Sequence, residues 1–202
     1  MEWLVSELQI FCADNMYHLI YRLPIWLVIY AMFVATLIYA VITYILYNGK
    51  EAVNEKYQKQ WKIFNYILFA ISVYAIFHLT VISRKPGKDI LVLMPFHSIA
   101  VTKYQPEMWR SLLMNIALFF PFGVSLSSIL HDKRSARKNI LCTSVAGLLL
   151  SLLIESIQYF YSLGEAWTDD VICNTLGAFL GVTYILFLKF YNFLKSKQKN
   201  EL

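Results

Sequence analysis

The chain has 202 residues, of which 58% are hydrophobic and 15% charged, with a mean hydropathy of +0.53 and a net charge of +5. So apolar a composition excludes an ordinary soluble domain and places the chain among integral membrane proteins. The basic surplus does not point to nucleic acid, because Lys and Arg sit in short clusters between apolar runs, where topology determinants sit. Cys12, Cys142 and Cys173 lack CxxC spacing and read as small packing residues, so neither a disulfide framework nor a metal site is indicated, and no cofactor is implied.

Taken in chain order, residues 1–22 read as an N-terminal interfacial segment. Glu2, Glu7 and Asp14 precede the first long apolar run without a basic stretch, so a cleaved signal peptide is not expected. A hydrocarbon core of about 30 Å needs roughly 20 apolar helical residues per crossing. Five stretches qualify: 23–47, 63–82, 112–130, 140–163 and 171–191. The fold class is therefore all-α, a polytopic membrane helix bundle filling residues 23–191, with a basic tail over 192–202. Tyr47, Trp61, Trp109, Tyr161 and Trp167 stand near span ends, as interfacial aromatics do. Between the second and third spans, the run ILVLMPF is too short to cross and is expected to dip into the interface or lie over the bundle.

Cytoplasmic loops retain positive charge, so the distribution of Lys and Arg orients the bundle. Twelve basic residues fall in 48–62, 131–139 and the C-terminal end, against six on the opposite side, Arg22, Arg84, Lys85, Lys88, Lys103 and Arg110. The N-terminus is expected outside and the C-terminus in the cytoplasm, in a cell membrane.

Polar residues inside the spans carry the functional question. An ionisable group in the hydrocarbon costs about 2.5–3.5 kcal/mol on insertion scales, so Glu155 in the fourth span needs a partner or a purpose. Ser144, Gly147, Ser151, Glu155, Gln158 and Ser162 fall on one helical stripe that must face protein. The fifth span repeats the pattern with Asp170, Asn174, Gly177, Gly181 and Tyr184, in which Gly177 and Gly181 form a GxxxG packing step. If these two stripes face each other in an antiparallel hairpin, Glu155 and Gln158 come near Asn174 and Asp170, and amide groups satisfy Glu155. The third span adds Asn115 below Arg110, followed by Pro121 and Gly123 as helix-packing positions; Pro121 leaves the Ala117 carbonyl without its usual donor and predicts a kink.

Two readings of this constellation stand side by side. In one, Asn115, Gln158, Glu155 and Asn174 are interhelical hydrogen-bonding glue. In the other, an outward-open polar pocket brings Arg110 or another loop base to an anionic group, while Glu155 or Asp170 holds a proton or a cation.

The blocks LLMNIALFFPFG, SLLIESIQYF and GEAWTDDVICNTLGAFLG resemble the signature of the VanZ family over residues 93–182. Pro95 and Phe96 match its upstream Pro-Phe, and Arg110 matches its arginine five residues before Asn115. The turn before Asp170 departs from many members, which carry an arginine or a further acidic residue there. The resemblance implies a small multispanning protein that lowers susceptibility to teicoplanin and related lipoglycopeptide antibiotics. It marks Arg110, Asn115, Glu155, Gln158, Asp170, Asn174, Gly177 and Gly181 as motif positions. The expected partners are the lipid bilayer and either the glycopeptide drug or a cell-envelope lipid intermediate.

A non-enzymatic binding role is the first reading, since no nucleophile-and-base spacing, HExxH or phosphate loop is evident. The alternatives are an intramembrane enzyme using Glu155 or Asp170 as general acid or base on a lipid-linked envelope substrate, and an assembly partner that docks through the GxxxG face.

Overall fold

The computed structural model describes residues 38, 55–87, 90–102, 107–131 and 135–200. The N-terminal segment and the first expected span therefore lie outside the described residues, apart from Ile38, which is helical. Four described helices are long and apolar enough to cross a membrane, and they correspond to the second to fifth expected spans. They are α1 (Glu55–Phe77), α3 (Glu107–His131), α4 (Ala136–Phe160) and α5 (Thr168–Asn200), with a short α2 (His97–Thr102) before α3. The chain is an all-α membrane helix bundle.

Helix α3 is central. In its span 50% of the residues are buried, against 22% in α1 and α4 and 33% in α5. Its Leu118, Phe119 and Phe122 meet Ile76 of α1, Ile154 of α4 and Ala178 of α5 in one apolar cluster. The Phe69 and Phe122 rings lie 5.5 Å apart, in the range favoured by aromatic pairs. The helix runs unbroken through Pro121, which is fully buried, and the Pro121 carbonyl accepts the Ser125 hydroxyl at 2.8 Å.

The polar residues of the spans face inward beside the apolar cluster, and the outward faces are apolar. On α1, Ile63, Ile67, Ile71 and Tyr74 are exposed while Asn65, Leu68, Ser72 and Ile76 are buried. On α4, Leu141, Val145, Leu149 and Leu153 are exposed while Asn139, Thr143, Gly147, Ser151, Glu155 and Gln158 are buried, as the stripe requires. Exposed apolar rows of this length would drive a water-soluble protein to associate; against lipid they are the favoured face.

Several boundaries differ from expectation, most of all in α4 and α5. Helix α4 starts at Ala136, so Arg137 and Lys138 belong to its first turn, and it ends at Phe160. Helix α5 continues to Asn200 through most of the segment set apart as a tail, because nothing in its Lys-, Gln- and Leu-rich sequence breaks a helix.

The end of α4 shows why it stops there. Ser162 adopts φ 55°, the Leu163 N–H returns to the Gln158 carbonyl at 2.8 Å and the Ser162 N–H to the Tyr159 carbonyl at 3.3 Å. This is a Schellman closure with serine in the position usually held by glycine. At the same end of the bundle α1 widens into a π-helical turn, His78–Ile82. Beyond it Ile90–Val92 forms strand β1, which pairs in parallel with β2 (Glu165–Trp167), Leu91 facing Ala166. The apolar run thus lies over the bundle as a strand joined to the α4–α5 connection.

Candidate functional site

The expected polar residues do gather at one end of the bundle, but through partners other than those the sequence implied. Asn115 of α3 donates from Nδ2 to Asp170 Oδ1 at 2.7 Å, joining the third and fifth expected spans. Glu155 is not satisfied by amide side chains. Its Oε2 accepts the backbone N–H of Trp167 at 3.0 Å, so the carboxyl holds the connection strand β2 instead of α5. Gln158 Nε2 donates to the Thr80 carbonyl at 2.8 Å, one of the end carbonyls of the widened π-turn. Asn174 Nδ2 donates to Ser151 Oγ at 2.9 Å. These last two bonds tie α4 to α1 and α5, and they are the helix glue of the first reading. The amide oxygens of both residues are buried and have no hydrogen-bond partner among the described residues.

The glycine step also faces elsewhere. A methyl on Gly177 would overlap the Ile116 carbonyl, and one on Gly181 would overlap the Phe120 carbonyl, both on α3. Gly123 of α3 approaches the Ala178 backbone just as closely. The small residues therefore bring α3 and α5 backbone to backbone, and α4 meets α5 through Gly147 against Ala178. This correction has a simple cause: periodicity shows which face is buried, not which helix covers it. It also means that the GxxxG face offered as a docking surface is occupied within the chain.

Two residues outside the expected set organise the site. Asp169, 3% exposed, accepts the backbone N–H groups of Phe96 at 2.5 Å and Ser98 at 2.7 Å. It thereby caps the N-terminus of α2 from a different helix, with charge-assisted bonds to donors that otherwise lack partners. Phe96 sits at φ 60°, uncommon for a bulky residue and held there by this clamp. The second is Arg84, which follows the π-turn. Gly164, at φ 117°, leaves room for its guanidinium: a Cβ there would lie 3.2 Å from Arg84 Nη1. Arg84 is close enough to both Asp170 and Glu155 for their charges to interact. Arg110 lies on α3, but its side chain falls outside the described residues.

Arg84 and Asp170 open onto a cavity of about 270 Å³. Its polar wall is completed by Ser98, Ser111 and Glu165, and its apolar wall by Met108, Leu112 and Trp167. Trp167 fixes that wall three ways: its backbone binds Glu155, its indole N–H donates to Glu165 Oε2 at 2.9 Å, and its ring lies 5.7 Å from that of His97. Of the expected binding residues, Asp170 lines the cavity directly and Asn115 holds it. Glu155 supports the wall through Trp167, while Gln158 and Asn174 fasten helices below.

Comparison with known proteins places the chain among relatives of one family. A protein named VanZ from Enterococcus faecium is 28% identical over 134 residues, covering 65% of this chain and 76% of that protein. No solved structure matches the chain. The VanZ/LLP1 family profile matches residues 25–189, well beyond the region in which the motifs are legible by eye. The chain is a multi-pass membrane protein that belongs to the VanZ/LLP1 family.

Proposed function

We propose that this protein lowers susceptibility to teicoplanin and related lipoglycopeptides, through a polar intramembrane site that faces outward and contacts the drug or a cell-envelope lipid intermediate. The observation that carries this reading is the cavity in which Arg84 and Asp170 stand together at one end of the bundle. Residues serving only to join helices would close on one another, whereas these charged groups line open space. The excess of basic residues on the loops at the other end supports the outward orientation, and the likeness to the enterococcal VanZ protein supports the biological role.

Expression in a susceptible Gram-positive host tests it, comparing the wild type with Asp170→Asn and Arg84→Gln at equal membrane abundance. The wild type is expected to raise the inhibitory concentration of teicoplanin several-fold and both variants to lose that effect. Unchanged susceptibility with the wild type would sink the resistance role.

A further inference from the structure

The cavity and its surroundings go further and, resting on the reading above, choose between its two ligands. We propose that the cavity receives the hydroxyl-rich, glycosyl-type headgroup of a membrane amphiphile that enters sideways from the bilayer, with its tail against an apolar rim formed by Leu93, Met94 and Phe96. Size comes first. Sites that enclose drug-sized ligands run from about 300 to 1,000 Å³, and at about 270 Å³ this one holds a single headgroup. A lipoglycopeptide, larger than an ordinary drug, is not enclosed.

Charge decides the headgroup. Among the described residues that line the cavity, Arg84 shares the wall with two carboxylic residues, Asp170 and Glu165, so that described lining carries no surplus positive charge for a phosphate. The hydroxyls of Ser98 and Ser111 both donate and accept. A wall so mixed matches sugar hydroxyls, which also do both, and Trp167 adds to the lining an aromatic residue against which a sugar ring can pack.

The rim decides the route. Leu93, Met94 and Phe96 are 69%, 68% and 61% exposed, yet their backbone is no loose loop. Pairing of β1 with β2 fixes it on one side and the Asp169 clamp on the other. Ser98, two residues on, lines the cavity. On α3 the cavity residue Leu112 is followed by Leu113, which is exposed. Exposed apolar side chains thus stand within a few residues of cavity-lining ones on both the 93–98 segment and α3. A rigid display of large apolar side chains at a span end is stable in the headgroup and acyl boundary of a bilayer.

The test uses the full chain in phosphatidylcholine nanodiscs, with native mass spectrometry reading retained lipid. A glucosyl diacylglycerol is the probe, phosphatidic acid of the same chains the anionic control, and methyl glucoside the tailless one. The glucosyl lipid is expected to be retained over phosphatidic acid and not displaced by methyl glucoside. Asp170→Asn should lower its retention about tenfold, the worth of one hydrogen bond to a charged group. Glu165→Gln, at an exposed position, gives the same direction without risk to the fold, and Met94→Asp weakens retention by removing the tail contact. Equal or better retention of phosphatidic acid, displacement by methyl glucoside, or retention unaffected by both carboxyl variants would each overturn the proposal. The proposal also fails if the variants lose binding of teicoplanin but not of glycolipid, although the resistance role then stands. Glycolipid binding in a protein that leaves susceptibility unchanged does the reverse: it supports the proposal and removes the role.

Discussion

The two ends of the bundle use similar residues to different effect. At the turn between α3 and α4, Asn139 donates to the carbonyl and hydroxyl of Ser127 at 3.0 and 3.2 Å, and Thr143 donates to Asn139 Oδ1 at 3.3 Å. All three residues are buried and neutral, and they answer one another. At the opposite end Asn115 is again a donor, but to a carboxyl, Asp170, that opens onto a cavity shared with Arg84. Polarity within a span is therefore not itself a sign of a site. What separates the two is charge that its neighbours leave facing open space, beneath a segment held in place by a third carboxyl, Asp169.

The contrast can be broken or sharpened by substitution. The largest effect is expected from Gly181→Leu, because the side chain would have to displace α3 backbone and both ends depend on that seam. Overpacking of this kind costs about 1–3 kcal/mol or more, and the variant should fail to accumulate in membranes by immunoblot. Normal accumulation would show that the α3–α5 contact is not what unites the ends. Next comes Asp169→Ala, which removes two bonds to a charged group, each worth about 1.5–3 kcal/mol. Limited proteolysis should then cut within residues 90–102 and the proposed effect on susceptibility should vanish, while the bundle keeps its thermal unfolding midpoint. Smallest is Asn139→Ala at the other end, where interhelical bonds in membranes are worth about 0.6–1.7 kcal/mol. A slightly lowered midpoint with the proposed effect on susceptibility intact is expected; loss of that effect at equal abundance would erase the distinction between glue and site.

Much of this was legible from residue spacing. The α4 stripe from Gly147 to Gln158 and the α5 face from Asn174 to Gly181 are buried because small and polar residues recur there at helical intervals, and lipid tolerates neither on an outer face. Asn139 is not legible as a span residue because the apolar run begins at 140, four residues after the helix itself. Arg84 and Asp169 were harder. Both lie in segments already polar, where one more charged residue makes no contrast, and their roles depend on groups far away in sequence. Which helix Gly177 faces, and that the apolar run 90–96 would pair with 165–167, are likewise decided by three-dimensional packing.

That distance has a consequence for how the molecule comes together. The bonds from Asp169 to Phe96 and Ser98 span 73 and 71 positions, and β1 must wait for β2, which follows α3 and α4. Synthesis delivers the N-terminal part first, and contacts so remote in sequence form only after their loop is closed. The roof of the cavity is thus a late event of biogenesis, completed when the start of the last helix arrives. A chain halted after α4 would carry its apolar strand without a partner, so the closed roof marks that synthesis has passed the start of α5.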